Sequence, residues 1–339
     1  NVIWAYTLID NISPSIISIT PQPDIEIRGL SQVEITFNEA VVGIDAGDLL
    51  INGQPATNIT VLVGYKYVFK FPPAPAGNVI VSWAQQHNIT DTFGNPFIAQ
   101  SFHYVVNLSL GFPTIRINEV LASAINTNNA YNRDEDGQLQ DWVEIYNYGT
   151  SPVNLAGFGL TDDKDDPYKW TFPATNIASG QYMVIYASEK NRKVPAKPLH
   201  LNFRLNVYGD YLGLFSPDIQ DAAVSEFAPK FPELRNDYSY GYDSTGALKY
   251  FSSPTPGASN KISQIVGIAP APHFNVQRGI YNAPFTLLLE TTLADGVIRY
   301  TTNGSEPTVS SGIQYTNPIT ISNTTIFRAA TFSGNMLPS

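Results

Sequence analysis

The chain has no cysteine among its 339 residues. Disulfide staples and thiolate metal sites are therefore excluded. This does not argue against secretion, since bacterial surface proteins often lack cysteine, but an animal extracellular domain is not expected. Methionine is scarce, at two residues. No stretch approaches the ~20 consecutive apolar residues that span a bilayer, so no membrane span is expected. No charged start followed by an apolar core and a cleavage site opens the chain. It begins at Asn1 rather than methionine, which reads as a processed or excised piece. Basic residues are sparse too: the longest run is Lys190-Asn191-Arg192-Lys193, in a chain of formal net charge −10. Nucleic acid is bound through a basic face, so it is not an expected partner.

Catalytic signatures are also missing. The sequence holds no G-x-S-x-G elbow, no H-E-x-x-H, no P-loop and no G-x-G-x-x-G. Its four histidines, His87, His103, His200 and His273, are scattered along the chain. Paired carboxylates for sugar hydrolysis need a cleft that holds them a fixed distance apart, and here the carboxylates sit in turns. A serine and a histidine brought together by the fold stay open, but no enzyme is expected.

What the chain has in quantity is aromatic and turn residues: 19 Tyr, 18 Phe, 24 Gly and 25 Pro, with 43% hydrophobic residues overall. That mixture favours strands, and the length allows two or three domains. Period-two alternation recurs at 32–37, 49–52, 67–71, 79–83 and 101–107, with turn signals between, such as Asn52-Gly53 and Gly94-Asn95-Pro96. The stretch from Ile115 to Asp163 continues the pattern. Ile115, Ile117 and Val120 alternate with Arg116 and Asn118. An acidic, Asn-rich loop follows, and then Asp141–Asn147 puts Trp142, Glu144 and Tyr146 on one face and Val143 and Ile145 on the other. The one plausible helical turn is 187–192. The predicted fold class is all-β, with three tandem immunoglobulin-like β-sandwich domains.

Three stretches carry family resemblances. The motifs VEITFNEAVVGIDAGDLLING and VSWAQQHNITDTFGNPF resemble bacterial Ig-like repeats of surface proteins, and place that domain at 11–110. INE, DxDG, DWVEIYN and VNLAGFGLTDD, continuing to SSPTPGASN, resemble the bacterial lamin tail domain, at 111–262. After a linker at 263–272, IRYTTNGSEPT, PITIS and TIFRAA resemble the C-terminal Ig-like domain of chitobiase and hexosaminidase-type enzymes, at 273–339, and by that resemblance the domain is expected to lack its last strand. The order of the three resembles large secreted bacterial proteins, notably of Verrucomicrobia and Planctomycetes. It implies an extracellular or cell-surface location and a spacer or binding role.

Two sets of residues are candidate sites. Asn132, Asp134 and Asp136 stand near the D-x-D-x-D-G start of a calcium loop; Gln138, Asp141 and Glu144 could complete a shell of oxygens, although Val143, at the twelfth position, offers none. A solvated acidic turn is the plainer alternative. The second set is the opening strand, Ile3, Trp4, Ala5, Tyr6, Thr7, Leu8 and Ile9, within an orphan segment at 1–10 that resembles the final strand of a preceding Ig-like repeat. Were it to fill the C-terminal domain of another copy, the chain would polymerise head-to-tail by strand complementation. The simpler reading is a fragment of a longer chain. Trp4, Trp83, Trp142 and Trp170 all lie in strand-like segments and are expected in cores. Function is thus expected to be non-catalytic. The leading reading is an extracellular structural or adhesive fibre subunit, and the alternative is a glycan-binding or surface-anchoring accessory module.

Overall fold

A computed structural model describes residues 9–127, 130–194, 196–218 and 222–339. Alternating side chains give a strand one apolar face, and two sheets bury such faces against each other. The N-terminal stretch does this with a four-stranded sheet ordered Ile16–Thr20, Gln32–Phe37, Lys66–Lys70, Asn58–Leu62. Its five-stranded partner is ordered Glu26–Ile27, Phe102–Val106, Gly77–Trp83, Leu49–Ile51, Gln54–Pro55. Val33, Ile35 and Phe37 from the first and Val79, Val81 and Trp83 from the second share one buried core. At its centre the rings of Trp83 and Phe97 lie 4.9 Å apart and those of Phe37 and Phe97 5.2 Å, both edge-on. Asn52-Gly53, with φ of 49° and 79°, makes the tight turn between Leu49–Ile51 and Gln54–Pro55; a hairpin turn with both central φ positive selects that pair of residues.

The chain divides into two compact units. One holds Asn1–Ile117, Glu144–Leu205 and Asp210–Phe231; the other holds Asn118–Val143, Asn206–Gly209 and Pro232–Ser339. These units do not follow the boundaries read from the sequence. The 111–262 stretch serves both, because its strands find partners far along the chain.

In the first unit, Gly159–Thr161 pairs with Trp170–Thr171 and Leu212–Phe215, and the latter pairs with Ser225–Phe227. Trp170, fully buried, meets Phe172 edge-on at 4.8 Å. Arg28 ties this part to the N-terminal sandwich. Its guanidinium pairs with Asp218, donates to Ser216 Oγ at 2.8 Å and to Gly111 O at 2.6 Å, and lies 5.9 Å from the Phe112 ring centroid.

In the second unit, Glu119 and Val120 pair with Gly241 and Tyr240, and Ser239–Tyr242 pairs in turn with Leu248–Phe251. The C-terminal domain is built from short ladders. Val297–Thr301 lies between Ile313–Gln314 and Arg328–Phe332, Phe285–Leu287 pairs with Ile319–Ile321, and His273–Phe274 pairs with Leu289–Glu290. Its core is small: Leu287, Leu289 and Ile298 are buried, with aromatic side chains half-buried around them.

Three expectations change. Residues 263–272 are not a bare linker: Gly267–Ile268 is a strand paired in parallel with Met336–Leu337, and the N–H of buried Ala269 donates to Leu337 O at 2.8 Å. A two-residue ladder made by backbone alone leaves no alternation to read. Residues 187–192 make no helical turn, because Glu189 and Asn191 sit at φ of 64° and 50°, outside any right-handed helix. Among the described residues the helical pieces are the 3-10 turns Ala46–Asp48 and Ala130–Asn132. Asp141–Asn147 was expected to alternate, yet Trp142, Val143, Glu144 and Ile145 are all buried, as is Asn118 in Ile115–Leu121. Strands buried on both faces show no alternation of burial. Trp83, Trp142 and Trp170 are in cores as expected, while Trp4 lies outside the described residues. Among the described residues, no helix is long and apolar enough to cross a membrane.

Candidate functional site

The acidic loop closes on its own hydrogen bonds. Asp134 is buried, and its Oδ1 accepts from the N–H groups of Asp136 at 3.0 Å and Gln138 at 2.9 Å, while Oδ2 accepts from Gln140 Nε2 at 3.0 Å. Such a carboxylate serves as the staple of a tight turn. Asn132, also buried, donates to Asp237 Oδ1 at 3.2 Å, and Asp141 Oδ1 accepts from Ser123 N at 2.7 Å and Ala124 N at 3.1 Å. Glu144 is buried within its strand, whereas Asp136 and Gln138 face solvent. Among the described residues, the three carboxylates whose oxygens come within 4.8 Å of one another are Asp10, Glu39 and Asp91. The oxygens of Asp91 already accept from Phe93 N, Asn95 N and Asn95 Nδ2. Of the opening strand, residues 3–8 lie outside the described residues, and Ile9 is an exposed residue in no strand.

The fold does join one serine to one histidine. Ser188 Oγ lies 2.7 Å from His200 Nδ1. Ser188 is 4% exposed and His200 is 0% exposed, so no substrate carbonyl has access to the hydroxyl. The pair holds Tyr182–Ala187 and Leu199–His200 in register, alongside their parallel ladder. His87, His103 and His273 lie on other elements, away from this pair in sequence.

Sequence reasoning also missed the environment of Glu119, from the INE motif. Its side chain is fully buried and accepts a short hydrogen bond from Ser239 Oγ and one from Thr255 N at 3.4 Å. Burial raises the carboxyl from its ordinary 4.5 to about 7; the hydrogen bond from Ser239 opposes that rise without cancelling it.

The strongest candidate for binding is an open cleft of about 720 Å³ in the C-terminal domain. Phe274 comes from His273–Phe274, Phe285 opens Phe285–Leu287, and Phe327 precedes Arg328–Phe332. The loop between the first two carries Arg278, Tyr281 and Asn282 along the wall. That loop is pinned: Asn275 Oδ1 accepts from Leu288 N at 2.7 Å, and Tyr281 Oη donates to Gln277 O at 2.5 Å. Tyr281, 46% exposed, tilts against Phe285 at 4.5 Å. Phe327 meets Phe274 edge-on at 6.0 Å and stacks on Tyr300 at 4.8 Å. Arg278 is the one charged side chain in the lining. A cleft with apolar rings and a few polar groups at the rim is what small-molecule sites share. The sequence hid it because Phe274, Tyr281, Phe285 and Phe327 come from separate segments, each of which reads as an ordinary strand with an aromatic in its core.

Comparison with known proteins bears on two of the three stretches. Residues 111–228 match the lamin tail domain. Residues 276–339 match the chitobiase/β-hexosaminidase C-terminal domain. Two of its modules thus match known domain families. No curated protein matches the chain. Among solved structures, it is similar to a DUF4876 family protein from Bacteroides thetaiotaomicron, at 14% identity and a TM-score of 0.19, over 51% of this chain and 63% of that one. The chain thus spans less than two thirds of that protein's length. It is also similar to SGBP-B of the Bacteroides ovatus mixed-linkage glucan utilization locus, solved with a mixed-linkage heptasaccharide, at 12% identity and a TM-score of 0.20, over 93% of this chain and 92% of that one. Likenesses this loose leave function to be argued from the chain's own geometry. That geometry and the matched families make the chain an all-β protein built of sandwich modules.

Proposed function

We propose that the chain is a non-catalytic accessory segment of a secreted or cell-surface protein, and that its C-terminal domain binds a glycan. The observation that carries this reading is the aromatic cleft. The C–H face of a pyranose packs on an aromatic ring as any apolar surface does, and Tyr281 offers such a ring half-exposed at the opening. Sugar hydroxyls both donate and accept, and the amides of Asn282 and Asn323 with the guanidinium of Arg278 supply both kinds of partner. The match of this domain to one named for chitobiase and β-hexosaminidase supports a hexosamine-containing glycan. The burial of the Ser188–His200 pair supports a binding rather than a hydrolytic role.

Affinity electrophoresis of the full chain through gels containing polysaccharides, followed by titration calorimetry with chito-oligosaccharides, tests the reading. The wild-type chain is expected to be retarded, and Tyr281→Ala to weaken binding by about tenfold, the equivalent of 1.4 kcal/mol. Wild-type chain that passes every gel unretarded, or a Tyr281→Ala variant that binds as well, would overturn it.

A further inference from the structure

We propose that a second cleft, in the first compact unit, binds an oxyanion: a carboxylate or sulfate carried on a small polar ligand such as an acidic sugar. This cleft, of about 560 Å³, runs between the edge strand Ile16–Thr20 and the segment around Tyr168–Phe172. Three lysines line it: Lys66, Lys169 and Lys193. Two of them are neutralised within the protein. Lys66 Nζ lies 3.0 Å from Asp166 Oδ1 and 3.6 Å from Glu34 Oε1, and Lys169 Nζ lies 2.7 Å from Asp162 Oδ1.

Lys193 is different. Its Nζ donates to Thr171 Oγ1 at 3.1 Å and lies 5.3 Å from the Trp170 ring centroid, and among the described residues no carboxylate pairs with it. An ammonium has three protons to donate, and Thr171 takes one. Burial pulls its pKa below the ordinary lysine value, as expected of a charge that has lost water without gaining a counter-ion. The same cleft holds a second, independent sign. Thr36 is 7% exposed, lines the cleft, and its Oγ1 has no hydrogen-bond partner. Buried polar groups are nearly always satisfied, so an orphaned hydroxyl marks a place where another group belongs. An oxyanion answers both: it is a multiple acceptor for the ammonium and the hydroxyl, and its charge compensates Lys193. A neutral sugar would satisfy the hydroxyl and leave the charge. The acidic group in the lining, Glu34, is engaged by Lys66, which leaves Lys193 as the lysine of the cleft with no carboxylate beside it among the described residues.

The test uses the full chain with three probes: glucuronate, glucose 6-sulfate and glucose. Acetylation of lysines, read by mass spectrometry, is expected to slow at Lys193 by about tenfold when either acidic sugar saturates the cleft, and to stay unchanged with glucose. The two acidic probes separate carboxylate from sulfate recognition. In calorimetry, Lys193→Gln and Thr36→Val should each weaken binding of the preferred acidic sugar by about tenfold, with Lys193→Arg retaining most of it. Tyr281→Ala should leave this binding unchanged, which keeps the result separate from that of the C-terminal cleft. Equal labelling of Lys193 with and without the acidic sugars would overturn the proposal, and so would unaltered affinity in Lys193→Gln. Labelling of the wild-type chain decides the matter even if a variant fails to fold.

Discussion

Gly241→Ala is expected to destabilise the protein by about 3 kcal/mol, at the upper end of what overpacking costs. Gly241 faces Glu119 across the ladder between Ile115–Leu121 and Ser239–Tyr242. A Cβ there would lie 2.1 Å from Asn118 O and 2.7 Å from Glu119 Cα. Both are backbone atoms, so no rotamer change makes room; the strands must separate, and separation pulls Ser239 away from the Glu119 carboxyl. Gly29→Ala is the control, since a Cβ at Gly29 meets nothing within 4 Å. Its effect should stay within about 0.5 kcal/mol, as for an uncrowded surface change. Urea unfolding of both variants at one pH measures the difference. A Gly241→Ala loss no larger than the Gly29→Ala loss would show that the two strands do not need their close approach.

The second large effect is a pH dependence centred on Glu119. Raising its carboxyl from 4.5 to about 7 on folding is worth roughly 3 kcal/mol. The sign follows from which state holds the proton. Below about pH 4.5 the carboxyl is protonated in both states and costs nothing. Between about 4.5 and 7 the unfolded chain loses the proton while the folded chain keeps it, so stability falls as pH rises. Above about 7 the carboxyl is ionised in both states and the full cost of a buried charge is present. Glu119→Gln removes the charge and keeps an oxygen to accept from Ser239 and Thr255. The difference in stability between wild type and Glu119→Gln should therefore shift in favour of the variant by roughly 3 kcal/mol from pH 4.5 to pH 8. Denaturant titrations of both proteins across that range would show it, and parallel profiles would mean that Glu119 titrates at its ordinary value.

These two residues show where reading the chain stops. INE and the run ending in Tyr240-Gly241 are visible as strand segments, but nothing local says that they pair, since they stand more than a hundred residues apart. Once paired, a glycine becomes obligatory opposite Glu119, and a glutamate on the same strand face as Ile115 and Ile117 is sealed from water. The acidic loop teaches a similar lesson. Asn132, Asp134, Asp136, Gln138, Asp141 and Glu144 have the spacing of a cation loop, yet the backbone N–H groups around Asp134 and Asp141 compete for the same oxygens, and that competition is decided by loop geometry. The four tryptophans were simpler: in a strand-rich chain a large apolar ring is driven inside, and the three that are described went there.

Composition and period-two alternation were sufficient for the all-β class and for most strands of the N-terminal sandwich, because strand formation depends on side chains two residues apart and turns depend on Gly, Pro and Asn where they stand; the two domain families came instead from the resemblance of longer motifs. Which strands pair, which polar groups are buried and where rings and charges converge were decided by tertiary structure alone. The aromatic cleft draws on Phe274, Tyr281, Phe285 and Phe327, and the second cleft on Thr36, Thr171 and Lys193. Each is a product of long-range pairing, and sites of that kind have no period along the chain to be read.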